Sequence, residues 1–157
     1  MTSVVDLWGM YIEAVYSIFA HCFSYTYEDA YGHIQTRSTT NVFSGDGVHR
    51  NNPESQNIPR NGPVPIREYY IVDRETGGTL GWIRDILLGK STWFALLADD
   101  ESIDDETYID GIRRGEFRMH PGSVSYGCVT FSDNEWYATL RGQLLRTEKS
   151  RLRELRS

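Results

Sequence analysis

The stretch "FRMHPGSVSYGCV", residues 117–129, contains a histidine and a cysteine eight positions apart. A thiol is a weak nucleophile until it ionises, and with a reference pKa near 8.5 only a few per cent is thiolate at neutral pH. A nearby imidazole removes this limit, because it accepts the proton and then stabilises the anion as imidazolium. His120 and Cys128 are therefore a candidate base and nucleophile, provided that the fold puts both on one face of a sheet.

The residues just before Cys128 suit acyl transfer. Gly127 lets the backbone approach a substrate closely and permits a positive φ. The backbone N–H groups of Tyr126, Gly127 and Cys128 would then point at one oxygen and hold a developing oxyanion. Ser125 can donate a further hydrogen bond, or orient His120 through its carbonyl.

Three other interpretations stay open at this point. His120 and Cys128 can be an ordinary loop histidine and a small buried strand residue. A disulfide between Cys22 and Cys128 would block the thiol. A metal site that adds His21 and Cys22 is the weakest of the three, since adjacent ligands lack the gap that zinc chelation needs.

The elements that must position these residues are strands and a C-terminal helix. Short strands are predicted on both sides of the loop 121–126, in "GEFRMH" and "GCVTFS". The alternation of apolar and polar residues predicts further strands in "REYYIVD" (67–73) and "STWFALLAD" (91–99), and a hairpin over 23–43. Helical spacing predicts a helix over 133–147 that Asp133 caps. The fold class expected is therefore a β-rich α+β domain.

The remaining segments are predicted from spacing and composition. Residues 4–19 have helical spacing and predict an amphipathic N-terminal helix, packed on the domain or used to dock a carrier. The Gly-, Pro- and Asn-rich residues 44–65 predict a long ordered loop. The acidic residues 99–110 predict a solvated surface loop without the spacing of a calcium site. "RETGG" predicts a turn, and "LGWIRDILLG" fits either a strand or a short helix.

Length and charge exclude several classes of function. A chain of 157 residues suits one domain with a real core. Residues 1–140 hold ten Lys and Arg against twenty Asp and Glu, which argues against nucleic acid as the main ligand. No run of eighteen apolar residues exists, so no membrane span is expected. No Lys or Arg precedes Arg37, so the basic start of an ordinary signal peptide is missing.

Five blocks in order resemble a known family. "FSGDGVHRNNP", "GPVPIREYYIVDR", "TGGTLGW", "WFALLADD…IDD" and "GEFRMHPGSVSYGC" together resemble the type VI secretion L,D-transpeptidase effectors, toxins that bacteria deliver into neighbouring bacteria. The resemblance covers roughly residues 23–147. It implies an L,D-transpeptidase-like β-sandwich or curved-sheet catalytic domain over 23–147, between an N-terminal helix (1–22) and a basic C-terminal tail (148–157).

The resemblance also implies a reaction. Cys128 would attack the carbonyl of the L-centre of meso-diaminopimelate in a peptidoglycan tetrapeptide stem and release the terminal D-alanine. Water then completes an L,D-carboxypeptidase reaction, or another D-amino acid takes the acyl group in an exchange reaction. His120 carries over as general base and acid, and the backbone of 126–128 carries over as the oxyanion hole.

Partners and location follow from the same resemblance. Such effectors act without a metal or cofactor, and each travels with an immunity protein that blocks the site. They are made in the bacterial cytoplasm, leave with a type VI secretion carrier component rather than by a signal peptide, and act in the periplasm of the target cell. The predicted partners are therefore peptidoglycan tetrapeptide stems, a cognate immunity protein and a secretion carrier.

Several positions depart from the family pattern or extend it. Tyr126 stands where many L,D-transpeptidases carry a second histidine, and Thr130 where they carry asparagine. Arg67 stands where the effectors tend to have a turn glycine. Tyr70 is a candidate for lining the substrate groove. Arg118 should share the face of His120, where it either binds a stem-peptide carboxylate or forms a surface salt bridge.

Two alternative functions, a papain-like peptidase and a non-catalytic binding module, can be distinguished from an L,D-transpeptidase. Papain-like peptidases place the cysteine first, at a helix N-terminus, with the histidine far downstream. No histidine follows His120 in this chain, so that order is absent. A non-catalytic module that binds cell wall or a partner protein remains the alternative, and an unreactive thiol would favour it.

Overall fold

The computed structural model describes residues 3–6, 12–73, 93–102 and 104–155. In these residues the chain forms β-strands and one long C-terminal α-helix, with two 3₁₀-helices at Gly47–His49 and Pro53–Ser55. The strands are β1 (Ser3–Asp6), β2 (Ile12–Ser17), β3 (Cys22–Glu28), β4 (Ile34–Thr39), β5 (Val42–Ser44), β6 (Glu68–Asp73), β7 (Phe94–Ala98), β8 (Glu106–Ile109), β9 (Ile112–Gly115), β10 (Arg118–Pro121) and β11 (Val129–Phe131). The helix α1 is Asn134–Leu155.

Nine of these strands form one sheet. Its order is β4-β3-β2-β1-β6-β7-β10-β11-β5, and β8 and β9 form a separate antiparallel hairpin. Two neighbouring pairs in the sheet are parallel, β1 with β6 and β10 with β11, and the other pairs are antiparallel. The structure is therefore β-rich α+β, as the sequence predicts.

The sheet curls so that its two ends face each other. Phe23 on β3 and Phe131 on β11 lie with ring centroids 5.0 Å apart. Six strand spacings separate β3 from β11, which is roughly 30 Å in a flat sheet. Strong curvature must therefore bring the strands together, and buried aromatic rings from both ends fill the interior. The hydroxyl of Tyr16 on β2 adds a hydrogen bond of 2.6 Å to Asn51, which follows β5.

The helix α1 packs against this aromatic interior. Trp136 stacks on Phe131 with centroids 5.7 Å apart, and the Tyr137 hydroxyl donates to the Met119 carbonyl at 3.0 Å. Leu140 and Leu144 are fully buried. Asp133 accepts a hydrogen bond of 3.0 Å from the Trp136 N–H, so the predicted helix and its cap are confirmed. Tyr137 thus ties the helix to the strand that carries His120.

The predicted N-terminal helix is wrong. Residues 3–6 and 12–17 form β1 and β2, which pair with each other inside the nine-stranded sheet. The apolar stripe of the predicted helix includes Phe19 and excludes Ala14. The structure shows the reverse burial, with Phe19 63% exposed and Ala14 fully buried. Burial at every second residue from Ile12 to Tyr16 fits a strand, and the tyrosine, valine and isoleucine content favours one.

Most strand predictions near the site are confirmed. β6, β7, β10 and β11 occupy the predicted segments, and β3 and β4 form the predicted hairpin. The 44–65 segment is a loop apart from its two 3₁₀-helices. The acidic segment 99–110 is only partly a loop, since its end forms β8. The predicted "RETGG" turn and the "LGWIRDILLG" element lie outside the described residues.

Candidate active site

The pairing of β10 with β11 puts the predicted base and nucleophile on the same face of the sheet. The strands run parallel with Met119 opposite Val129 and His120 opposite Thr130. Side chains alternate along a strand, so Thr130 and Arg118 share the face of His120. Cys128 directly precedes β11 and lines a cavity together with Arg118, so it opens to this same side. Met119 and Val129 point to the opposite face, where both are buried in the core. The geometric condition set by the sequence is therefore met.

Both nitrogens of the buried His120 ring have close polar neighbours. Nδ1 lies 2.9 Å from the Pro121 carbonyl oxygen, which can only accept, so Nδ1 carries the hydrogen. In the neutral ring Nε2 is then the acceptor, and it lies 3.3 Å from Thr130 Oγ1. This tautomer puts the lone pair of the ring at Nε2, next to the Thr130 hydroxyl.

Trp93 stacks on the imidazole of His120. The ring centroids are 4.0 Å apart and the planes differ by 15°. The pairing of β7 with β10 explains the contact, because Met119 lies opposite Phe94 and Trp93 is the next residue outward. The indole face is electron-rich, so the stacking stabilises the imidazolium that forms when His120 takes a proton.

Cys128 is a buried free thiol held close to backbone amides. Burial raises the pKa of this thiol above its ordinary value. Hydrogen bonds from the backbone N–H groups of Arg118 and Tyr126, and the nearby Arg118 guanidinium, lower that pKa in part, while the Asp105 carboxylate raises it. The net direction is upward, so the thiol needs a base to become a nucleophile at neutral pH.

Arg118 is engaged in a buried ion pair. Its guanidinium donates to both carboxylate oxygens of Asp105, at 2.7 and 2.8 Å, and to the Phe117 carbonyl at 2.8 Å. The Arg118 side chain is 6% exposed and that of Asp105 is 11% exposed. Arg118 shares the face of His120, as predicted. Its partner Asp105 makes the pair a buried salt bridge and not the surface salt bridge that the sequence suggested. The positive charge of Arg118 acts on Cys128.

The turn before Cys128 is fixed by the Ser125 hydroxyl. The buried Ser125 Oγ donates to the Cys128 carbonyl at 2.7 Å and accepts from the Gly45 N–H at 3.1 Å. This hydroxyl is therefore occupied by the backbone. Ser125 thus fixes the backbone at Cys128, whereas the sequence suggested that it donates a further hydrogen bond or orients His120 through its carbonyl.

Gly127 has the positive φ that the sequence suggested, at 89°. A Cβ on this residue would come within 3.0 Å of Arg114 Nη2 and 3.3 Å of the Gly62 carbonyl oxygen. Gly127 is thus required by both backbone conformation and space.

Arg114 ties β9 to the 56–63 loop beside this turn. Its guanidinium donates to the carbonyls of Gln56, Gly62 and Pro63, the last two at 3.1 and 3.3 Å. Burial lowers the pKa of Arg114. The side chain thereby holds the loop against Gly127 with a buried positive charge.

A cavity of about 370 Å³ opens beside Cys128. Its lining includes Trp93, Tyr126 and four arginines, at positions 60, 113, 114 and 118, against one glutamate, Glu116. Tyr126 is 56% exposed at this surface. The thiol thus faces a pocket with aromatic and cationic walls, in contrast to the acidic balance of residues 1–140.

The chain matches the family model of the Tlde1 domain over residues 38–155, about three quarters of its length. The chain belongs to this family. Tlde1 domains are type VI secretion effectors of the L,D-transpeptidase type, which act on peptidoglycan. The match includes His120, Cys128 and the turn between them. Neither the search of curated proteins nor the search of solved structures gave a significant match.

Of the predicted site residues in this Tlde1 chain, Cys128, Tyr126 and Arg118 line the cavity, whereas His120, Ser125, Gly127 and Tyr70 do not. Tyr70 shares the outward face of the sheet with Val72, Ala95 and Leu97, where it packs on them. It is on the face of His120 but two strands away from β10. Cys22, on β3, is free and half-buried, so the disulfide that the sequence left open is not formed.

The described residues hold neither a metal cluster nor a membrane span. Within them, no three His, Cys, Asp or Glu side chains gather as ligands. Among the same residues, no helix has both the length and the apolar character that crossing a membrane requires.

Sequence reasoning missed four residues that shape the site: Trp93, Asp105, Arg114 and Arg60. Asp105 and Arg114 pack against it from the β8–β9 region, which the sequence did not predict as a hairpin. An Asp-Gly pair at 110–111, both with positive φ, joins β8 to β9 and is a strong hairpin signal that could have found it. The contact of Trp93 with His120 could be predicted only from the register of β7 and β10, which the sequence alone does not give.

Proposed function

We propose that this chain is a cysteine acyl-transfer enzyme of peptidoglycan stem peptides. It acts as an L,D-carboxypeptidase that converts tetrapeptide to tripeptide with release of D-alanine, as an L,D-transpeptidase that exchanges D-amino acids, or as both. One observation carries the proposal: the acceptor nitrogen of His120 lies on the sheet face of a buried thiol that opens into a cavity. The Tlde1 family match supports the substrate class.

The residues support a two-step reaction. His120 Nε2 takes the thiol proton of Cys128 as sulfur bonds to the carbonyl carbon of the diaminopimelate L-centre. The resulting oxyanion is held by backbone N–H groups of residues 126–128, of which that of Tyr126 contacts the sulfur. The carbon–nitrogen bond then breaks, and His120 returns the proton to the leaving D-alanine amine.

The second step releases the acyl group. Water, or the amine of another D-amino acid, attacks the thioester carbon and gives its proton to His120. The carbon–sulfur bond breaks, and the proton returns to the Cys128 sulfur. Hydrolysis gives tripeptide, and aminolysis gives a tetrapeptide with a new last residue.

The proposed setting is the periplasm of a target bacterium. The chain is made in the cytoplasm of the producing cell and leaves with a type VI secretion carrier component. A cognate immunity protein protects the producing cell by covering the cavity. Of the two predicted folds, the curved sheet fits the L,D-transpeptidase-like domain, which then extends beyond 23–147 to include β1 and β2. Loss of tetrapeptide donors in the target is the harmful outcome.

Muropeptide chromatography tests the proposal. Wild-type protein incubated with disaccharide tetrapeptide should yield tripeptide and D-alanine, and added D-methionine should give a later-eluting product if exchange occurs. Cys128→Ala and His120→Ala should each lower the rate at least about a thousandfold, since either group is required for the nucleophile. Cys22→Ala is the matched control and should keep full activity, because Cys22 lies on β3 away from the cavity. Full activity in Cys128→Ala would refute the proposal.

A non-catalytic binding module is the second candidate, and the raised pKa of the buried thiol favours it. Such a module would bind stem peptides without turnover. Absence of product together with unchanged peptide binding in His120→Ala would support the module over the enzyme.

A further inference from the structure

The cavity beside Cys128 contains an arginine with no carboxylate partner among the described residues. Two of the four lining arginines are neutralised: Arg113 pairs with Glu106 at 2.5 Å and Arg118 pairs with Asp105 at 2.7 Å. Arg114 is held by three carbonyls. The exposed Arg60 has an aromatic contact instead, with its guanidinium 5.7 Å from the ring centroid of Tyr126.

The backbone holds Arg60 in an uncommon conformation at the cavity wall. Its φ is 66°, in the left-handed region that a side chain other than glycine rarely adopts. The loop around it is fixed on both sides, because Arg114 bonds to carbonyls before and after it and the Gly62 N–H donates to the Ile58 carbonyl at 3.1 Å. Such a fixed conformation is typical of functional positions.

The charges around the cavity favour an anion. Glu116 is the acidic residue of the lining, and it acts on Arg113 together with Glu106. Arg60 and Arg114 therefore supply positive charge that no carboxylate of the described residues offsets. Of these two, only Arg60 is exposed, since Arg114 is buried and occupied, while the exposed Arg113 is paired with Glu106.

We propose that Arg60, seated on Tyr126, binds the terminal carboxylate of the D-alanine that leaves when Cys128 attacks. This inference rests on the proposed function and names the part of the substrate that the cavity selects. The terminal carboxylate is the anionic group nearest to the scissile bond, as one carbon separates it from the amide nitrogen. A guanidinium recognises a carboxylate through paired charge-assisted hydrogen bonds.

The consequence concerns which stems are cut. A D-alanine whose carboxyl group is already joined in a cross-link has no carboxylate for Arg60. The enzyme therefore prefers stems with a free D-alanine carboxylate and leaves stems cross-linked through that D-alanine, as a carboxypeptidase and not an endopeptidase.

The experiment compares three substrates with wild-type and Arg60→Gln protein. They are the tetrapeptide free acid, the same peptide as its C-terminal D-alaninamide, and the free acid with the side-chain carboxyl of diaminopimelate amidated. Arg60→Gln should lower kcat/KM about ten- to a hundredfold on both substrates with a free C-terminus and less than about threefold on the C-terminal amide. The ratio between substrates is measured on one preparation, so partial misfolding cancels.

Arg50→Gln is the matched control, because Arg50 is exposed and lies over an aromatic ring, 4.1 Å from the centroid of Phe43, outside the cavity lining. It should leave all three ratios unchanged. Equal losses on all three substrates in Arg60→Gln, or the same pattern in Arg50→Gln, would overturn the proposal. A loss confined to peptides with a free diaminopimelate side chain would assign Arg60 to that carboxylate and also overturn it.

Binding to Cys128→Ala protein separates this inference from the proposed function. The dissociation constant of the free acid should rise about tenfold or more when Arg60→Gln is added, and that of the D-alaninamide should not change. This result supports the carboxylate site even if wild-type protein releases no D-alanine. Turnover by wild type with equal binding in both variants would refute the Arg60 site alone.

Discussion

The Cys128 thiol is influenced by both charges of one ion pair, Arg118 and Asp105. The Arg118 guanidinium lowers the pKa of Cys128 and the Asp105 carboxylate raises it, while burial keeps the net direction upward. Because the two side chains bond to each other, the pair acts as a dipole whose positive end favours thiolate. In the proposed reaction, His120 therefore deprotonates a thiol whose pKa is lower than that of an isolated buried thiol. Arg118 acts on the Cys128 thiol through its charge.

The first prediction concerns the sign of each charge. Arg118→Gln should shift the pH midpoint of Cys128 alkylation by iodoacetamide upward, because a positive charge is lost and Asp105 is left uncompensated. Asp105→Asn should shift the same midpoint downward. Mass spectrometry of the 128-containing peptide across pH measures both midpoints on protein shown to be folded by circular dichroism. Shifts of the same sign in the two variants would contradict this account.

At the residue scale, the sequence identified the reactive residues but not the side chains that surround them in the fold. His120, Cys128 and Gly127 stand out because their types are uncommon in this spacing and each has a defined chemical use. Asp105 does not stand out, because it lies among seven carboxylates in residues 99–110 and only the fold selects which one meets Arg118. The alternation of β6 correctly predicts the face of the sheet on which Tyr70 lies. It does not predict how far Tyr70 lies from the site, which depends on the strand order.

Cys128 lies in a short loop between the parallel strands β10 and β11. β10 ends at Pro121 and β11 begins at Val129, whereas parallel neighbours usually need a crossover of a dozen residues or more. Gly122, with φ 144°, and Gly127, with φ 89°, allow the short return. The Gly122 N–H donates to the Phe131 carbonyl at 2.9 Å and closes it. Sequence predicted both strands and the loop, but their parallel direction depends on β5 and β7 on either side.

The second prediction tests the turn with a pair of glycines. Gly127→Ala and Gly111→Ala both place a side chain at positive φ, which costs about 1–2 kcal/mol of unfolding free energy. Only at Gly127 does the added Cβ also meet Arg114 and the Gly62 carbonyl, since nothing lies within 4 Å at Gly111. Gly127→Ala should therefore lose roughly a further 1–3 kcal/mol by urea denaturation and most D-alanine release. Gly111→Ala should keep its activity, and equal losses in the two variants would contradict the close approach.

At the scale of the whole molecule, the curled sheet is closed by buried tyrosines. Tyr16 on β2 bonds to Asn51 at 2.6 Å, and Tyr69 on β6 bonds to the Pro65 carbonyl at 2.7 Å. Each hydroxyl joins a strand to the 44–65 loop, which also carries Arg60 and the carbonyls that hold Arg114. The helix predicted for 4–19 is wrong because local spacing there fits both periods, whereas pairing selects the strand: β2 pairs with β1 and β3, and β1 pairs with the distant β6.

The last prediction follows from the burial of these two hydroxyls. Burial raises the pKa of Tyr16 and of Tyr69 above the unfolded value near 10. Both groups therefore contribute stability in full below about pH 10, and that stability falls as pH rises from there toward the folded pKa values, because only the unfolded chain then loses the protons. Each tyrosine adds up to about 1.4 kcal/mol per pH unit to the slope, and roughly half to nine-tenths of that between pH 10 and 11, where the unfolded group is partly ionised. Tyr16→Phe should remove one such increment from the slope of unfolding free energy between pH 10 and 11, measured by urea denaturation and circular dichroism. Tyr31→Phe, at a ring that is 86% exposed, controls for the loss of a hydroxyl. An unchanged slope in Tyr16→Phe would mean that the Tyr16 hydroxyl is not held neutral inside the closed sheet.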